Sequence, residues 1–116
     1  MAVYIDDVRL PFGRMTMCHM WADTLDELLD MADRIGVCRC WIQGHPELSH
    51  DKYKNASWVH FDIALGKKKR AIAAGAILTD KYGPVEFLAI QKGDTKKLDT
   101  IAMLRARNKK DALRHA

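Results

Sequence analysis

The chain of 116 residues is 48% hydrophobic and 29% charged, a mix that fits one soluble globular domain and excludes a disordered or fibrous chain. Its 19 basic and 15 acidic side chains leave a net charge of +4, which permits contact with nucleic acid or a phosphorylated ligand without demanding it. No stretch reaches the ~18–20 apolar residues of a bilayer span, "MAVYIDDVRL" lacks the pattern of a signal peptide, and the odd cysteine count of 3 argues for reduced thiols, so a cytoplasmic protein with no membrane partner is expected.

"AVYIDD" reads as a short strand closed by Asp6 and Asp7, and "RLPFGRMTMCHMW" as a loop broken by Pro11 and Gly13. "ADTLDELLDMADRIGV" predicts the clearest helix. Thr24 and Glu27 have capping-box spacing, Leu25, Leu28, Leu29, Ala32 and Ile35 make the apolar stripe, and Gly36 suits the C-terminal cap. "VCRCWIQ" reads as a second strand, completing a βαβ crossover, and residues 44–58 as a long polar loop. A second helix is expected over 63–74, with Asp62 as its N-cap and Gly75 beyond its end. "AILTD" and "VEFLAI" read as strands around a "KYGP" turn, and a basic helix begins near Asp94 or Thr95. The order β-α-β-α-β-β-α predicts a small single-domain α/β sandwich with a mostly parallel sheet of about four strands. That domain is expected over residues 1–92, with a basic helix or tail over 93–116.

In open α/β sheets ligands bind beyond the carboxyl ends of the strands, where Asp6, Arg14, His19, Asp23, His60 and Asp62 would gather. Carboxylates suit Mg²⁺ or Mn²⁺, and imidazoles widen the choice to Zn²⁺ or Fe²⁺. Asp6, Asp23, His60 and Asp62 are the candidate ligands of a divalent metal, and His19, His60 and Asp62 the candidate catalytic residues. Arg14, Lys67 and Lys68 are the candidate phosphate-binding residues. Plainer readings stand beside these. Asp62 can be only a helix cap, Asp23 only a dipole partner, His19 a hydrogen-bonded core histidine, and the Lys67–Arg70 run a solvated helix face. Cys18, Cys38 and Cys40 read better as small buried hydrophobes than as a zinc site, because C-x₂-C pairs are missing. Trp21, Trp41 and Trp58 read as core or loop anchors. The motifs of P-loop enzymes, dinucleotide-binding folds, serine hydrolases and zincins are missing from the sequence.

Three segments, "VYIDD", "GRMTMCHMWADTLDELLDMADRIGV" and "HFDIALGKKKRAIAAGA", together resemble the domain of unknown function 4031 family of short phage and bacterial proteins. The likeness runs over about residues 3–78 and rests on Asp6, Gly13, Arg14, His19, Asp23, Thr24, Glu27, Leu28, Gly36, His60, Asp62, Gly75 and Ala76. The family has no agreed activity; the resemblance implies a compact α/β fold and a phage or prophage origin. Two functions follow as expectations. One is metal-assisted hydrolysis of a phosphoester in a nucleotide or nucleic acid. The other is a non-enzymatic accessory protein that binds a host protein or nucleic acid.

Overall fold

The computed structural model describes residues 2–114, and side chains through 110. Two compact units divide at residues 81 and 82. The first holds a five-stranded sheet: β1 (Val3–Ile5), β2 (Leu10–Phe12), β3 (Met15–Ala22), β4 (Phe61–Ala64) and β5 (Ile77–Leu78), with helices α1 (Leu25–Ile35) and α2 (Leu65–Ala73). β3 is the hub. Met17 opposes both Leu10 and Ala64, and Met20 opposes both Ile5 and Phe61. A residue in a ladder has one neighbour on each side, so β2 and β1 follow one another along one edge of β3 while β4 occupies the other. Every pairing with β3 is antiparallel, and only β1 with β5 is parallel.

This corrects the expectation of a mostly parallel four-stranded sandwich in the order β-α-β-α-β-β-α. Three local readings account for it. "RLPFGRMTMCHMW" is not a loop but the hairpin β2–β3. Pro11 is tolerated because β2 is a short exposed strand, and Gly13 turns the chain at φ 61°. "VCRCWIQ" is no strand. Arg39–Trp41 forms a single 3₁₀ turn, followed by an isolated bridge between Gln43 and His60. The βαβ crossover expected there is therefore absent among the described residues. "VEFLAI", β-prone by composition, lies in a helix with a proline in its first turn and Gly93 capping its end.

α1 forms as its sequence requires. The Thr24 hydroxyl accepts from the Glu27 N–H at 3.3 Å and donates to the Glu27 carboxylate at 2.8 Å, and Gly36 closes the helix at φ 77°. α1 and α2 both pack on β3 and on each other, and α1 also meets β1 and α2 β4. Ile5, Cys18, Met20, Phe61 and Ile63 of the strands meet Leu28, Ala32, Ile35 and Ala71 of the helices in one core. Burying each large side chain stabilises the fold by roughly 1.5–3 kcal/mol.

The cysteine readings change too. Cys38 and Cys40 are bonded to each other and exposed in the 3₁₀ turn, where reduced thiols and buried hydrophobes were expected. Cys18 is free and buried, and burial, seconded by Asp6, pushes its thiol up to about 11.

The second unit is a helix pair, α3 (Gly83–Lys92) and α4 (Thr95–Arg114). The Asp94 carboxylate accepts from the Lys97 N–H at 3.0 Å to cap α4, and Arg105 pairs with Glu86 across the two helices. No described helix is long and apolar enough to cross a membrane.

Candidate metal centre

Side chains on a strand alternate between faces, so Cys18, Met20, Phe61 and Ile63 point to the helices while His19 and Asp62 point to the opposite face. The ladder pairs His19 directly with Asp62. Residues so opposed have Cβ atoms about 4.5–5.5 Å apart. His60 lies two residues before Asp62 and shares its face. Asp62 is thus a strand residue and not the cap of α2, whose N-cap position is Ala64. The result is a cluster of His19, His60 and Asp62, one ligand atom from each lying within 4.8 Å of the others.

Both imidazoles are held from behind. The Asp6 carboxylate accepts from His19 Nδ1 at 2.7 Å and from the His19 backbone N–H at 2.9 Å. The Trp58 carbonyl accepts from His60 Nδ1 at 3.0 Å, and the Trp58 indole stacks on the His60 ring with centroids 4.1 Å apart and an interplanar angle of 11°. A carboxylate and a carbonyl only accept, so each Nδ1 carries the hydrogen and each neutral Nε2 turns its lone pair inward. These lone pairs face Asp62 Oδ1, which lies 3.7 Å from His19 Nε2 and 3.4 Å from His60 Nε2. Asp62 Oδ1 is sealed from solvent and accepts no hydrogen bond. Its other oxygen accepts from the Gln43 amide at 2.9 Å.

Three lone-pair donors thus converge with no hydrogen between them when the imidazoles are neutral, an arrangement that a cation completes. The two spacings to Asp62, 3.4 Å and 3.7 Å, fit one. Ligand atoms about 2.1 Å from a tetrahedral ion stand about 3.4 Å from each other. The cluster can coordinate a metal ion. Protons compete for the same lone pairs. The hydrogen bond to Asp6 raises the His19 pKa above the ordinary imidazole value, and burial opposes this without cancelling it. Burial pushes the Asp62 carboxyl up, but His60, the Gln43 amide and the charge His19 can carry outweigh it and hold the carboxyl below its usual range.

The remaining candidates lie as follows. Asp6 is fully buried behind His19. Asp23 accepts from the Ala2 N–H at 2.7 Å and from the Tyr4 hydroxyl at 3.1 Å and is not one of the converging three. Arg14 is exposed in the β2–β3 turn. Lys67 and Lys68, on α2, are half-buried, and Lys67 lines a cavity that also reaches Gln43 and Asp62. Two residues outside the candidate site set contribute: Trp58, read only as a core or loop anchor, which holds His60, and Gln43, which holds Asp62. Trp58 was discoverable, because W-x-H-x-D places all three on one face of an extended segment. Gln43 carried no such signal.

No curated protein and no solved structure matches the chain. The family model for the protein of unknown function DUF4031 matches residues 3–91, further than the 3–78 read from the motifs and into α3. The chain belongs to the domain of unknown function 4031 family.

Proposed function

We propose that the chain is a small metal-dependent hydrolase of phosphoesters, with His19, His60 and Asp62 as the metal-holding and catalytic residues. The observation that carries this reading is the sealed, unbonded Asp62 Oδ1 facing two imidazole nitrogens whose hydrogens are committed elsewhere. Two imidazoles and one carboxylate suit Zn²⁺, Mn²⁺ or Fe²⁺ better than Mg²⁺, which prefers oxygen. A bound ion supplies Lewis acidity to a phosphoryl oxygen and lowers the pKa of a water. The chain's own groups do the rest. Asp6 and Trp58 fix the ring orientations, Gln43 fixes the carboxylate, and Lys67, with Lys68 and Arg14 in support, offsets phosphate charge. In the net reaction the water oxygen bonds to phosphorus, the ester P–O bond breaks, and the departing oxygen takes the proton the water releases. On this reading the chain acts in the cytoplasm, that of the host cell if it is phage-encoded, on a nucleotide or nucleic acid.

The test is calorimetric titration of the purified chain with Zn²⁺ and Mn²⁺, followed by turnover of bis(4-nitrophenyl) phosphate by the loaded protein. One ion per chain and loss of both binding and turnover in His60→Ala and Asp62→Asn are expected. A chain that takes up no ion, or a loaded chain that cleaves no phosphoester, ends the reading.

The exposed basic residues of α4, including Lys96, Lys97, Arg107, Lys109 and Lys110, favour a second reading as an accessory protein that contacts nucleic acid. Binding to DNA or RNA that weakens steeply with salt is its signature; salt-insensitive binding counts against it.

A further inference from the structure

The first unit carries a cavity of about 510 Å³, within the range of small-molecule sites. Phe12, Met15 and Met17 of the β2–β3 hairpin line it, and so do Trp41 and Tyr53. Trp41 and Tyr53 meet edge to face with centroids 6.0 Å apart. Phe12 at 59% exposure, Met15 at 48% and Trp41 at 52% are large apolar side chains left open to water around one hollow. Such a concentration marks a binding surface. Its side-chain polar groups include an amide, a carboxylate and an ammonium. Gln43 and Asp62, the hydrogen-bonded pair that supplies the cluster's carboxylate, line it, and so does Lys67, whose ammonium packs beside Gly36 at the end of α1.

We propose that this cavity takes the flat, apolar ring of the substrate's leaving group, so that the substrate class is phosphoesters of ring-bearing alcohols, as in nucleotides or aryl phosphates. This rests on the hydrolase reading above. The ring lies between the hairpin methionines and Trp41, because sulfur and indole faces both favour aromatic contact. The phosphate lies toward Lys67 and Asp62, the charged residues that line the same hollow. An alkyl phosphate has the charge but not the ring; a nucleoside without phosphate has the ring but not the charge. The cavity therefore separates substrates by their organic part and leaves the metal centre to its own residues. Trp41 and Phe12 are exposed and make no bond to the cluster, so they act on specificity alone.

The experiment uses the full chain loaded with Zn²⁺ and reads the methyl signals of Met15 and Met17 by NMR. Adenosine, adenosine 5′-monophosphate, 4-nitrophenyl phosphate and methyl phosphate are titrated separately. Ring-bearing compounds are expected to shift both methyls, and ring-bearing phosphates to bind at least tenfold tighter than methyl phosphate. Trp41→Ala should weaken ring binding roughly tenfold with Zn²⁺ affinity unchanged. Lys67→Ala should weaken the ring phosphates and leave adenosine unaffected. A larger response to adenosine 5′-monophosphate than to 4-nitrophenyl phosphate identifies a nucleotide, and the reverse an aryl ester. Unmoved methyls, or methyl phosphate binding as tightly as the ring phosphates, overturn the proposal. Repeating the adenosine titration on metal-free protein separates the two readings: methyl shifts there leave ring binding standing even where calorimetry finds no Zn²⁺ uptake and so removes the hydrolase.

Discussion

Asp6 holds His19 at two points: one carboxylate oxygen accepts from ring Nδ1 at 2.7 Å and the other from the backbone N–H at 2.9 Å. Two acceptors are needed, and an asparagine has one. In Asp6→Asn either the ring or the backbone bond is lost, or the ring switches tautomer to accept from the amide N–H and carries its hydrogen on Nε2, the nitrogen a metal needs. The variant should lose about 1–3 kcal/mol of stability and bind Zn²⁺ about 10–100-fold more weakly. Urea unfolding and calorimetry measure the two effects separately. Unchanged Zn²⁺ affinity would mean that Asp6 does not set the imidazole's orientation.

Protons compete with a metal for His19. Its pKa lies above the ordinary imidazole value of about 6.5, so Zn²⁺ affinity should keep rising as pH climbs past that value. In the metal-free protein the sign runs the other way. A raised folded pKa contributes stability that is fully present below about pH 6.5 and is lost as pH rises through the folded value. Asp62, lowered on folding, contributes stability above about pH 4 that is lost as pH falls through its folded value. NMR titration of the His19 ring is the direct check; a midpoint at or below 6.5 would contradict the Asp6 interaction.

Gly44 has φ 78°, and a Cβ there would come within 2.0 Å of the Trp58 carbonyl oxygen. That same carbonyl accepts from His60 Nδ1. Gly44→Ala must move the 44–58 backbone or abandon the left-handed conformation, at a cost of at least about 1–2 kcal/mol. Released from its acceptor, His60 should hold metal less well. A drop in both melting temperature and Zn²⁺ affinity is expected; a drop in melting temperature alone would show that Trp58 does not position the ring.

Phe61 stands between His60 and Asp62 in the chain but points into the helix-side core, fully buried. Phe61→Ala should cost about 3–5 kcal/mol, measured by denaturant unfolding. A cost under 1 kcal/mol would mean that β4 is not anchored by this core.

The Cys38–Cys40 bond joins residues only two positions apart and lies exposed beside the cavity. Closing so short a loop removes little entropy from the unfolded chain, about 1–2 kcal/mol at most. The double change to serine should therefore leave the protein folded, with a small shift in the urea midpoint. Loss of cooperative unfolding would show the bond to be structural.

The sequence by itself determined what adjacent residues decide among themselves. Thr24, Glu27 and Gly36 bound α1 because caps act within one turn, and the Leu25–Ile35 stripe selects its buried face. His60 and Asp62 share a side because strand alternation is local. Local signals also misled. Pro11 and Gly13 act as breakers in isolation yet fit an exposed edge and a hairpin turn, and the β-prone "VEFLAI" is overruled by a proline in the first turn and a glycine cap. The pairings that make the site join residues far apart in the chain: Asp6 to His19, His19 to Asp62, Gln43 to Asp62. Only the tertiary structure decided these, because strand register is set by burying two faces at once. A slip of one residue between β3 and β4 would turn Cys18 or Ile63 outward and carry His19 or Asp62 into the core. The helix-side apolar packing thus fixes, from the opposite face, where the imidazoles and the carboxylate meet.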